Sequence, residues 1–158
     1  MHRLRKPYLV FLGDVSLRSD AKTGFGLRDW CPEDVIGECA LAAAQVSLDL
    51  PKMTPAEAAA AGAGSIVIGV APVGGQLPHG WIPALVAALK AGLDVVSGMH
   101  TRLERYQELV DAARTTGAQL INVRHSDRDW PVGTGIRRSG RRLLTVGTDC
   151  ALGKKYTA

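Results

Sequence analysis

Apolar positions along the chain fall in short runs separated by amphipathic stretches, the pattern of βα units in a parallel sheet. Tyr8 to Leu12 reads as a first buried strand and Val35 to Ala40 as a second. Residues 14 to 34 show no convincing period and contain Gly24, Gly26 and Pro32, so they read as a loop with one helical turn. The signals sharpen after Pro51. Thr54-Pro55-Ala56-Glu57 sets an N-cap hydroxyl, a proline at the first helical position and a glutamate at the third, which together form a capping box. The alanine-rich helix that follows stops near Gly62, and Ser65 to Val70 is a β-branched strand. Trp81, Ile82, Leu85, Val86 and Leu89 recur on one helical face, with Pro83 in the first turn and Gly92 just past the end. Val95 and Val96 mark the next strand. Leu103, Tyr106, Leu109, Val110 and Ala113 make another helical stripe closed by Gly117, and Leu120 to Val123 follow as a strand. Helix ends lie one to three residues from the next strand, as right-handed crossovers between parallel strands require.

The periodicity then stops. His125 to Arg142 is rich in Asp, Arg, Gly and Pro and reads as a linker. Leu143 to Val146 reads as a fresh strand that runs into Gly147-Thr148-Asp149-Cys150-Ala151-Leu152-Gly153-Lys154-Lys155. The expected organisation is an α/β domain over 1–124, with a parallel sheet and flanking helices. A linker over 125–142 and the opening of a second, truncated α/β domain over 143–158 complete it.

Of the 158 residues, 46% are hydrophobic, 22% charged and 5% aromatic, which excludes collagen-like, disordered and membrane-spanning classes. The net charge of +4 is unevenly placed. Arg124 to Lys155 holds eight Lys or Arg against three Asp, and the rest eleven against twelve, so the tail carries +5 and the remainder −1. Basic residues precede Tyr8 to Leu12, but that run is too short for a signal-peptide core. Cys31, Cys39 and Cys150 show no C-x-x-C spacing, so neither a disulfide framework nor a zinc site is indicated, and a reducing cytoplasm fits.

A strand leading into a glycine loop and a Gly-Lys pair is an arrangement that wraps a phosphate. Backbone N–H groups form the anion nest and the lysine adds a point charge. Gly147, Thr148, Asp149, Gly153, Lys154 and Lys155 are therefore the candidate phosphate-binding residues. In a G-x-x-x-x-G-K motif the first glycine falls where Thr148 stands, and Lys155 replaces the hydroxyl that holds Mg²⁺. The anion-binding half is present without the metal-binding half. A plain helix-starting turn is the simpler alternative. Cys150 fits a small side chain in the loop better than a nucleophile.

Other candidates cluster at the expected carboxyl edge of the sheet. Gly69 to His79 follows a strand and precedes a helix, where open α/β sheets bind ligands, although it lacks G-x-G-x-x-G. Gly74, Gly75, Thr101 and Arg102 are the substrate-binding candidates there, and Asp14 and His100 the candidates for a catalytic base. Thr101 also suits a simple helix-capping role. His2 and His79 show no evident partner. Arg137-Arg138-Ser139-Gly140-Arg141-Arg142 lacks interleaved aromatics and reads as a solvated hinge rather than a nucleic-acid surface.

Seven ordered blocks carry a family resemblance: Lys6-Pro7-Tyr8 with Phe11-Leu12-Gly13-Asp14; Lys22-Thr23-Gly24-Phe25-Gly26; Met53-Thr54-Pro55-Ala56-Glu57-Ala58; Ile68-Gly69-Val70-Ala71-Pro72 with Gly74-Gly75; Ser97-Gly98-Met99-His100-Thr101-Arg102-Leu103; Pro131-Val132-Gly133-Thr134-Gly135; and the phosphate-loop segment. They resemble the DgcN-like family, formerly a domain of unknown function and described as D-glutamate N-acetyltransferases. The phosphate loop is also similar to that of dethiobiotin synthetase-like P-loop proteins. The resemblance implies a Rossmann-like N-terminal domain, a P-loop C-terminal domain mostly missing here, acetyl-CoA as co-substrate and an amino acid such as D-glutamate as acceptor. Two other readings stay open: an ATP- and Mg-dependent ligase or kinase, and a non-catalytic binding or oligomerisation module that forms a homo-oligomer.

Overall fold

The computed structural model describes residues 4–72, 74–125, 131, 133, 135–137 and 139–147. The chain divides into two compact units, Met1–Asp127 and Arg128–Ala158. In the first, β1 (Tyr8–Phe11), α1 (Lys22–Trp30), β2 (Val35–Cys39), α2 (Pro55–Ala60) and β3 (Ser65–Ile68) follow one another. They are succeeded by α3 (Ile82–Lys90), β4 (Asp94–Ser97), α4 (Gln107–Thr116) and β5 (Leu120–Asn122). The five strands form one sheet in the order β2-β1-β3-β4-β5, and every pairing is parallel.

That order fixes where the helices lie. The chain steps one way from β1 to β2 and the opposite way through β3, β4 and β5. Right-handed crossovers then put α1 on one face and α2, α3 and α4 on the other. Leu9, Phe11, Ile66, Ile68 and Val95 join a buried core with Ala58, Leu85, Ala88, Leu89 and Leu109 from those three helices. Tyr8, Val67, Val96 and Ile121 form a second apolar cluster, with Leu4 and Leu27 packed against it. Among the described residues no helix is long and apolar enough to cross a membrane.

The capping box forms as its spacing predicts. Thr54 Oγ1 accepts from Glu57 N at 3.2 Å while Glu57 Oε2 accepts from Thr54 N at 2.7 Å. The stripe that starts at Leu103 splits in two: a 3₁₀ turn covers Leu103–Arg105 and α4 begins at Gln107.

Two expectations need correction. Residues 14 to 34 are not a loop with one turn, because they contain a 3₁₀ turn, Arg18–Ala21, and the nine-residue α1. Of the glycines that read as helix breakers, Gly24 is a place of close approach, whereas a Cβ on Gly26 would meet nothing within 4 Å. Gly24 N donates to Gly69 O at 2.7 Å, and a Cβ on Gly69 would lie 3.0 Å from Gly24 Cα and 2.5 Å from the Val10 side chain. Tertiary contact, not propensity, holds this helix against the sheet. Phe25 adds to it, with the Arg18 guanidinium 3.7 Å and that of Arg28 4.9 Å from its ring centroid.

The second correction concerns the later segment. Leu143 to Val146 forms no strand, and Leu143, Leu144 and Val146 are 96%, 80% and 78% exposed. An apolar tetrapeptide becomes a strand only beside a neighbour that supplies ladder hydrogen bonds, which its composition alone cannot specify. Thr148, Asp149, Cys150, Gly153, Lys154 and Lys155 lie outside the described residues, as does His2. Gly147 is described and exposed.

Candidate functional site

The strands end on a common edge, and the loops leaving β1, β3 and β4 meet there. Adjacent strands β1 and β3 connect onward to opposite faces, which makes the gap between them the expected ligand crevice. In this chain a side chain fills it. Trp81, 1% exposed, sits against the β1 turn, so that a Cβ on Gly13 would fall 2.3 Å from the indole ring. Its Nε1–H donates to Asp14 Oδ1 at 2.8 Å, and its ring meets Phe11 edge-on at a 5.4 Å centroid separation.

A dinucleotide fold also places an acidic residue for ribose at the end of its second strand. Glu38 occupies that position, yet its carboxylate is buried and engaged by its own chain. Oε1 accepts from Ser47 Oγ at 2.7 Å and Oε2 from Leu48 N. The backbone of Glu38 also donates to Pro51 O and accepts from Met53 N, each at 2.9 Å. Glu38 therefore fastens the long loop after β2. Beside it, a cavity of about 430 Å³ is lined by Cys39, Lys52 and Thr54 among others, and burial raises the Cys39 thiol above its ordinary value.

The next gap along the edge, between the loops after β3 and β4, stays open. His100 N donates to Gly75 O at 2.8 Å, and the Tyr106 hydroxyl donates to Leu77 O at 2.7 Å, so the two loops are tied twice. Gly75 has a φ of +61°, and a Cβ there would lie 2.8 Å from the His100 ring, so close loop contact requires glycine. Beyond these ties lies a polar cleft of about 310 Å³ lined by Gln76, His79, Thr101, Arg105 and Tyr106.

The sequence candidates map onto this edge unevenly. Gly74, Gly75, His100 and Thr101 lie in the loops around the cleft. Asp14 lies at the β1 turn with its Oδ1 on Trp81. Arg102 is exposed and stands at the N-cap position of the 3₁₀ turn, with no side-chain capping bond, and it does not line the cleft. His79, without an evident partner in the sequence, packs edge-on against the Tyr106 ring at 5.5 Å. Gln76 and His79 fall within the Gly69 to His79 candidate segment without being singled out, and Arg105 and Tyr106 were not legible as site residues. Tyr106 carries the helical period of core positions, and Arg105 belongs to a 3₁₀ turn that a helical reading turns toward solvent. Among the described residues no three His, Cys, Asp or Glu side chains are grouped to hold a metal ion.

A five-stranded parallel sheet with helices on both faces and its loops gathered at the carboxyl edge defines a Rossmann-like α/β domain. The chain belongs to the DUF1611_N family, a domain of unknown function described as Rossmann-like, whose profile matches residues 34–126. It is 43% identical over 155 residues to a protein of Tritonibacter scottomollicae named D-glutamate N-acetyltransferase, covering 98% of this chain and 46% of that protein. A Pseudoalteromonas protein of the same name is 38% identical over 156 residues, with 99% and 47% covered. The chain thus spans about half the length of the curated relatives it matches. The crystal structure of a DUF1611 family protein from Anabaena variabilis superposes with a TM-score of 0.67 at 25% identity, over 85% of this chain and 41% of that one. The family resemblance read from the seven sequence blocks holds.

Proposed function

We propose that this chain is the N-terminal part of a D-glutamate N-acetyltransferase-like enzyme that receives the amino-acid substrate at the carboxyl edge of its sheet. The observation that carries the reading is the match of nearly the whole chain to two relatives of that name. The loop cluster around Gly74, Gly75, His100 and Thr101 supports it, because it offers polar groups on tethered loops beside an open cleft. Acetyl-CoA is the acyl donor, and its phosphates fall to the segment from Gly147 to Lys155. CoA phosphates can be held by backbone N–H groups and lysines without Mg²⁺, which agrees with Lys155 standing where a metal-binding hydroxyl would be.

In the reaction the substrate ammonium loses a proton and its nitrogen attacks the thioester carbonyl. The oxyanion then collapses with cleavage of the C–S bond, and the nitrogen gives up a second proton, which ends on the departing CoA thiolate, leaving the neutral amide. His100 and Asp14 are the edge residues able to take that proton. His100 is exposed beside Gly75, whereas one oxygen of Asp14 already accepts from Trp81.

The test joins this chain to the C-terminal half of the Tritonibacter relative and follows thiol release from acetyl-CoA. D-Glutamate-dependent release is expected. Release of inorganic phosphate from ATP with Mg²⁺, with no thiol release, would instead support the ligase or kinase reading. Neither activity, from a chimera shown to be folded, would leave the non-catalytic module.

A further inference from the structure

We propose that the cleft between the β3 and β4 loops is a carboxylate-binding site in which Arg105 and His79 take an anionic end of a small substrate. The inference rests on the reading that an amino acid binds at this edge, and it assigns residues to that binding.

The lining of the cleft carries the argument. Gln76, His79, Thr101, Arg105 and Tyr106 include a guanidinium, an imidazole, an amide and two hydroxyls, and no carboxylate. Elsewhere in this domain three basic side chains have acidic partners: Arg5 with Asp94, Lys6 with Asp34 and Arg28 with Asp29. Among the described residues no carboxylate pairs with Arg105 or His79. The neighbouring acid, Glu104, is engaged by Asn122 Nδ2 at 2.8 and 2.9 Å. A planar guanidinium beside other donors suits a carboxylate through charge-assisted hydrogen bonds.

The two loops and the Tyr106 side chain are tethered before any ligand arrives, since Tyr106 Oη donates to Leu77 O and His100 N to Gly75 O, while Gln76, His79 and Arg105 are exposed. The Tyr106 hydroxyl hydrogen is committed to Leu77, so its oxygen is left to accept. With the Gln76 carbonyl and the Thr101 hydroxyl, it can receive a substrate ammonium. About 310 Å³ is at the small end for ligand sites and suits an amino acid better than a nucleotide. A phosphate of CoA presents the same anionic oxygens, so the test must separate the two sources.

Calorimetry on the 158-residue chain with D-glutamate, glutarate and CoA as separate titrants does so. It compares the parent with Arg105→Gln, His79→Gln and the α4 surface control Arg114→Gln, each checked for an unchanged unfolding midpoint. D-Glutamate and glutarate should bind the parent. Arg105→Gln should weaken both by about tenfold or more, His79→Gln should weaken both to a smaller extent, and Arg114→Gln should leave both within about twofold. D-Glutamate binding unchanged in Arg105→Gln would overturn the cleft assignment while sparing the amino-acid reading. Glutarate binding that depends on Arg105, with no D-glutamate binding, would keep the carboxylate site and remove the D-glutamate reading. CoA as the Arg105-dependent titrant, or no binding of any of the three, would overturn the proposal.

Discussion

The Trp81 indole N–H donates to Asp14 at 2.8 Å and spans the gap between the turn after β1 and the start of α3. This one contact closes the crevice that a parallel sheet of this order opens between β1 and β3. The usable gap thereby moves one strand over, to the loops after β3 and β4.

The contact leaves no room at Gly13. A Cβ there would sit 2.3 Å from the Trp81 ring, and the backbone φ is +57°. Gly13→Ala should therefore destabilise the domain by about 2–4 kcal/mol, the combined cost of overpacking and of a left-handed non-glycine residue. Trp81→Phe, which keeps most of the ring and loses the N–H, should cost about 1–2 kcal/mol. Urea unfolding followed by circular dichroism measures both.

Asp94 is the buried half of an uneven ion pair. Its side chain is 3% exposed and that of Arg5 is 53% exposed, with the closest approach 2.7 Å. The carboxylate also accepts from Gln119 N at 2.7 Å, which joins the chain before β1 to the start of β5. Asp94→Ala should lower stability by about 2–3 kcal/mol, because it leaves the Gln119 amide without its acceptor while Arg5 returns to water. The same urea experiment provides the value, and a loss below about 0.5 kcal/mol would show the pair to be dispensable.

The capping box predicts an acid-sensitive term. Hydrogen bonds from the Thr54 backbone and then its side chain hold the Glu57 carboxyl below its ordinary 4.5. A lowered value means that the native state binds this proton more weakly than the unfolded chain. The contribution is thus present above 4.5 and lost as pH falls through the native value. The urea midpoints of parent and Glu57→Gln should differ at pH 7 and converge as pH falls below the lowered native value. Thr54→Ala should cost about 1 kcal/mol at neutral pH.

Legibility in the sequence followed the source of each element's stability. The capping box, α3 and strands β1 to β5 rest on local patterns: a hydroxyl and glutamate three apart, an apolar face, and β-branched runs. All were visible without coordinates. The α1 helix was not, because Gly24 lowers intrinsic helicity and its compensation comes from Gly69, forty-five positions away. The site divides in the same way. Gly74, Gly75 and Thr101 announce themselves by position after strands, whereas the pairing of His79 with Tyr106 and of His100 with Gly75 arises only when two loops meet. Leu143 to Val146 shows the converse failure, where a strand-like composition forms no strand.

The most direct test of the account is a ¹⁵N–¹H NMR titration of the 158-residue chain with D-glutamate. Binding at the carboxyl edge predicts saturable shifts at the amides of residues 74–77, 79 and 100–106, with those of β2 and α2 unmoved. Shifts confined to other regions, or none at all while ATP with Mg²⁺ perturbs the spectrum, would contradict it.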